Sequence, residues 1–164
     1  MESNNQAGKA NKTMLAAPNT VSKKCRYALR AIFELALRDT TEPVKIQDIA
    51  SAQGIPPRFL EVILAELKHG GFVESRRGND GGYLLVRPAC DLTVGEVISF
   101  LQGNVYDRDR TALHGLDLMG DYVFSRMWKK VSDAISNIYN SSNFADLVEQ
   151  ELAKRRTYVP NYAI

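Results

Sequence analysis

From Ser22 onward the apolar residues keep helical time. Tyr27, Ala28, Ala31, Ile32, Leu35 and Ala36 fall at i, i+1, i+4, i+5 spacing, which predicts one buried face of a helix running to about Arg38 with Ser22 as its N-cap. Asp39 to Pro43 breaks it. The next stretch, "VKIQDIASAQGIPPRFLEVILAELKHGG", predicts a short helix near Ile46 to Gln53 that ends at Gly54. Pro56-Pro57 opens another, which runs to His69 and stops at Gly70-Gly71, with Leu60, Ile63, Leu64 and Leu67 facing inward. The rhythm then shortens: Phe72–Ser75 and Tyr83–Arg87 read as two strands of a hairpin. Between them Gly78, Gly81 and Gly82 either supply positive φ angles or let the backbone lie close to something.

Helical spacing returns in "LTVGEVISFLQG". A capping box from Thr93 to Glu96 opens this helix, and Val94, Val97, Ile98 and Leu101 are its buried side. Between Gly120 and Tyr139, Phe124, Trp128, Val131, Ile135 and Ile138 alternate in steps of four and three, the seam of a helix lying along a partner helix. A continuous apolar stripe outside a domain with its own core is better explained by a homodimer than by packing within one chain. Residues 143–156 predict a last helix with Phe144, Leu147, Val148 and Leu152 inward.

Two short helices joined through a glycine turn form a helix-turn-helix, and Ala50 is small where they must cross. With a helix before it and the hairpin after it, the fold class is mainly α with a small β-hairpin wing, a winged helix-turn-helix plus a long dimerisation helix. The expected organisation is a mobile tail over 1–20, a DNA-binding domain over 21–102, a polar loop over 103–119, and the dimerisation and C-terminal helices over 120–156.

Charge sharpens this picture. The formal net charge of the 164 residues is only +2, yet residues 1–90 hold 13 Lys and Arg against 9 Asp and Glu, and residues 91–164 hold 8 against 10. A basic first half suits a polyanion. No apolar run has the length of a membrane span, and the N-terminus lacks a secretory apolar core, so a cytoplasmic protein without membrane contact is expected. Two cysteines, Cys25 and Cys90, are too few and too scattered for a disulfide framework or a CxxC metal knuckle. No nucleophile–base pair, metal triad or phosphate-binding loop leading into a helix is present, which argues against an enzyme.

In such a fold the second helix of the motif enters the major groove of double-stranded DNA with its first turn leading. That turn carries Arg58, able to fork onto a guanine edge, Glu61, able to accept from a cytosine amine, and Phe59, which either meets a thymine methyl or joins the core. Arg76 and Arg77, followed by Gly78, Asn79, Gly81 and Gly82, place positive charge at the wing tip. There one arginine can enter a narrow minor groove while the other, with backbone amides, holds phosphates. Lys23, Lys24 and Arg26 are either phosphate contacts or solvated helix-end charges.

Three segments, "KKCRYALRAIFELAL", "IQDIASAQGIPPRFLEVILAELKHGGFVESRRGNDGGYLL" and "LTVGEVISFLQG", resemble the Rrf-type family of bacterial transcriptional regulators over about residues 21–155. The resemblance implies winged-helix homodimers joined by the long helix and DNA reading by Arg58, Phe59, Glu61 and the wing residues Arg77 to Gly82; a two-fold dimer repeats the reading face on two half-sites, so the expected action is that of a repressor on a palindromic operator. Many members hold an iron–sulfur cluster through three cysteines in the loop before the long helix. Here residues 103–119 contain no cysteine and His114 as the sole imidazole. Asp107, Asp109, Asp117 and Asp121 are hard oxygen ligands, poorly matched to iron sulfide. The chain is expected to carry no cofactor and no metal, as in the cluster-free branch of the family. Its signal then arrives through a partner protein, a small effector, or oxidation of a thiol, for which Cys25 beside Lys23, Lys24 and Arg26 is the candidate; an inert packed cysteine is the alternative. A rival reading of the whole chain is a winged-helix module that docks a regulatory partner protein.

Overall fold

A computed structural model describes residues 21–39, 41–78, 80–103 and 119–157. The tail over 1–20, Asn79, His114 and most of the polar loop lie outside the described residues. The described chain forms six α-helices and one antiparallel hairpin: α1 (Lys23–Arg38), α2 (Ile46–Gln53), α3 (Pro57–His69), β1 (Val73–Arg76), β2 (Gly82–Leu85), α4 (Val94–Gln102), α5 (Asp121–Ser141) and α6 (Phe144–Thr157). A single 3-10 turn, Ala89–Asp91, precedes α4. This is a mainly helical winged helix-turn-helix with a long additional helix.

The element ends follow local chemistry. Ser22 Oγ accepts from the Cys25 amide and caps α1. Gly54 closes α2 in the left-handed region at φ 61°, and Pro57 sits at the first position of α3, where its missing N–H costs nothing. Thr93 and Glu96 complete a reciprocal capping box at α4. The hairpin pairs Val73 with Leu85 and Arg76 with Gly82. A further bridge joins Tyr83 to Val44 in the α1–α2 linker, with both backbone bonds at 2.9 Å.

Among the three wing glycines, only Gly78 takes a positive φ, 114°. Gly81 and Gly82 act through proximity: a Cβ on Gly81 would meet the Arg76 carbonyl oxygen, and one on Gly82 the Val44 carbonyl oxygen. Close approach, not turn geometry, demands glycine at both.

The core joins the inner faces of α1, α2, α3 and α4, with Ile32, Ile49, Leu60, Ile63, Leu64, Leu67 and Val97 essentially fully buried. Truncating any of the larger ones to alanine would cost about 2–5 kcal/mol. Phe144 from α6 lies in the same core, its amide bonded to the Leu92 carbonyl at 3.0 Å. Leu147 and Val148 pack on the rim of that core, but Leu152 is exposed, contrary to the expected inward face. The end of α5 is pinned by the Val94 amide bonding to the Ser142 carbonyl at 2.9 Å and by the close passage of Gly95 beneath Asn140. No residue of α5 is buried. Phe124, Trp128, Val131 and Ile138 are exposed and Ile135 is half-exposed.

Candidate nucleic-acid interface

The placement of α3 depends on α2, and α2 is held by a polar network on α1. Glu34, only 5% exposed, accepts from Arg38 Nε at 2.7 Å and from Gln53 Nε2 at 2.7 Å, while Gln53 accepts in turn from Arg30 Nε at 3.3 Å. A buried carboxylate survives because charged and neutral donors satisfy both of its oxygens. The sequence carried a signal for this, an acid interrupting the apolar stripe of α1, which periodicity alone does not interpret.

With four apolar residues of α3 anchored in the core, the opposite face is fixed outward. Arg58, Phe59 and Glu61 are all exposed on the first turns of α3, and Phe59, at 63% exposure, does not belong to the core. Neither Arg58 nor Glu61 has an ion-pair or hydrogen-bond partner for its side chain among the described residues. The hairpin is tied to the far end of the same helix, where Lys68 Nζ donates to Ser75 Oγ at 2.6 Å. Lys68 went unnoticed in the sequence because nothing local marks its reach into β1. Arg77 is exposed beside Gly78, while Arg76 lies 3.5 Å from Glu74, a loose contact between exposed groups.

At the start of α1, Lys23 sits 5.6 Å from the Tyr27 ring centroid and Arg26 is exposed. Lys24 is engaged with Glu66 of α3 at 2.9 Å, so part of its charge is answered before any polyanion arrives. Of the two readings open for Cys25, the structure favours the inert packed cysteine. It is fully buried, and burial pushes its thiol up to about 11, outweighing the opposing pull of Lys24. The flanking cations point outward while the sulfur points into the core, so adjacency in sequence does not create a thiolate here.

A family model described as Rrf2, iron-dependent transcriptional regulator, matches residues 21–150. The chain belongs to the Rrf2 family. As a member it is a DNA-binding transcriptional regulator. It is 36% identical over 132 residues to the HTH-type transcriptional regulator IscR of Enterobacter sp. (strain 638), covering 80% of each chain. Among solved structures it is similar to T. potens IscR, with a TM-score of 0.69 and 32% identity over 87% of this chain and 93% of that one. It is also similar to CymR (YrzC), the global cysteine regulator of B. subtilis, with a TM-score of 0.66 and 26% identity over 79% and 96%.

The iron in the Rrf2 description sets a test of donor chemistry. Thiolates are the usual ligands of an iron–sulfur cluster. This Rrf2 chain has two cysteines: one is buried with a raised pKa, and the other, Cys90, is exposed in the turn before α4. Among the described residues no three His, Cys, Asp or Glu side chains gather where they could hold a metal ion. The donor set does not fit a cluster of the thiolate-held kind. No described helix is long and apolar enough to cross a membrane.

Proposed function

We propose that this Rrf2 protein is a homodimeric repressor that occupies a palindromic operator without an iron–sulfur cluster and without catalysing a reaction. Arg58, Phe59 and Glu61 read base edges in the major groove; Arg76, Arg77, Gly78, Asn79, Gly81 and Gly82 form the wing contact, and Lys23, Lys24 and Arg26 hold phosphates. The observation that carries the reading is the uncommitted Arg58 and Glu61 on the outward face of a helix whose inward face is locked into the core. Two-fold pairing of α5 through Phe124, Trp128, Val131, Ile135 and Ile138 repeats that face for a second half-site.

Residues 21–102 are the DNA-binding unit in this reading, 103–119 the loop where a signal enters, and 120–156 the dimer arm with its return helix. A partner protein or small effector acts by favouring a dimer geometry in which the two reading helices no longer match adjacent grooves. The donor chemistry above supports a signal that does not pass through iron, and the burial of Cys25 argues against that thiol as its receiver.

Titration of the full chain with operator DNA tests the reading. Arg77→Ala is expected to weaken binding to the operator and its close variants alike, whereas Arg58→Ala costs about 1–3 kcal/mol and relaxes preference at one base. Equal losses on every sequence for both variants would remove Arg58 from the readers. Affinity indifferent to salt would favour a module that docks a partner protein, because phosphate contacts release counterions and a protein dock need not.

A further inference from the structure

The outward face of α3 carries a second large apolar side chain that the reading above leaves without a task. Val62 is 57% exposed and Phe59 63%, while Leu60, Ile63, Leu64 and Leu67 of the same helix are at most 1% exposed. Val62 stands one turn beyond Arg58, at i+4, so the two side chains are neighbours on one face of the helix. Its branched Cβ fixes χ1 in a helix, and both methyl groups are therefore presented in one place with little conformational freedom left to lose. The floor of the major groove offers one apolar group, the C5 methyl of thymine.

We propose that Val62 is a base-reading residue that packs against a thymine methyl. The proposal rests on α3 being the groove helix. Four residues of helix advance about 6 Å, and base pairs stack about 3.4 Å apart, so the thymine lies within about two base pairs of the base read by Arg58. Continuity with Arg58 and Glu61 selects DNA as the occupant of this face, since an apolar partner protein would have to bury both unpaired charges with it.

The test uses the full chain and its selected operator duplex, with each thymine replaced singly by deoxyuridine, a change that removes the methyl and keeps the base pair. The wild-type protein is expected to lose roughly fourfold in affinity at one thymine per half-site. Val62→Ala loses a similar factor on the thymine duplex and no longer distinguishes that uracil, while Phe59→Ala still does. Val62 is on the surface, and alanine favours helix, so folding is not at stake. Wild-type affinity in Val62→Ala, or undiminished uracil sensitivity at every position in that variant, overturns the proposal and leaves the groove-helix reading standing. Loss of all salt-dependent DNA binding in the wild type overturns that reading and this proposal with it.

Discussion

Arg87, just beyond β2, donates through Nη2 to Glu96 Oε1 at 2.7 Å, while the other oxygen of the same carboxylate accepts from the Thr93 amide at 2.9 Å and the Thr93 hydroxyl at 3.1 Å. Arg87 also donates to the Asp91 carbonyl at 2.8 Å. One carboxylate thus ties the foot of the wing to the start of α4, and the Val94 amide ties that start to the end of α5.

The Thr93 backbone N–H, and after it Arg87, hold the Glu96 carboxyl below its ordinary value of 4.5. A depressed pKa stabilises the fold above the unfolded value, and that stability is lost as pH falls through the folded one. Glu96→Ala is therefore expected to cost about 1 kcal/mol near neutrality and to flatten the decline in stability below about pH 4.5. Urea unfolding of both proteins between pH 7 and 3 checks this; parallel pH profiles would contradict it.

Lys24 and Glu66 form a half-exposed pair between α1 and α3, which contributes at most about 1 kcal/mol to stability. In the proposed DNA complex, Glu66 would compete with phosphate for Lys24. Glu66→Gln is expected to bind DNA several-fold more tightly and to steepen the dependence on log salt by about one counterion. Unchanged affinity at every salt concentration would place Lys24 outside the contact.

Cys25 is predicted to stay unreactive in the folded protein. Its raised pKa stabilises the fold in full below the unfolded value of about 9, and that contribution is lost as pH rises through the folded value of about 11. Alkylation under native conditions at neutral pH, followed by mass spectrometry, is expected to modify Cys90 alone, with Cys25 reacting only after unfolding. Equal labelling rates would show that the pocket around Cys25 opens readily.

Gly82 passes so close to Val44 that a Cβ would strike its carbonyl. Gly82→Ala is expected to cost about 1–3 kcal/mol through overpacking and to weaken DNA binding as the Val44–Tyr83 bridge gives way and the wing shifts. A variant with full affinity and lowered stability would separate wing position from binding.

Trp128 is 63% exposed in the middle of the α5 seam. Trp128→Glu is expected to yield monomers in sedimentation and a loss of cooperative operator binding. Dimers in that variant would mean that another surface pairs the chains.

The limits of α1 to α4 were legible because each is punctuated locally, by Ser22, Gly54, Pro57 and Thr93, and because apolar spacing named most of the core. What the sequence withheld was contact at a distance. For Gly82 the sequence left turn geometry and close approach both open, because Val44, which decides for close approach, lies far back in the chain. Two readings stayed open for Cys25 because its charged neighbours are adjacent in sequence, whereas its apolar surroundings include Val94, Ile98 and Leu101 of α4 and Tyr139 of α5. Leu152 kept the apolar spacing of α6 but lies beyond Leu147 and Val148, the residues that reach the core. The outward placement of Arg58 and Glu61 on α3 was readable from the apolar spacing of that helix, and the same spacing left Val62 outside the inward set without giving it a task.

The most direct test of the account is selection of binding sites from a random duplex library by the full chain, purified and kept free of iron, at two salt concentrations. The account predicts a colourless protein that recovers an imperfect palindrome, with affinity that falls steeply as salt rises. Recovery of no site without iron, with a site appearing once iron and sulfide are restored, would contradict it.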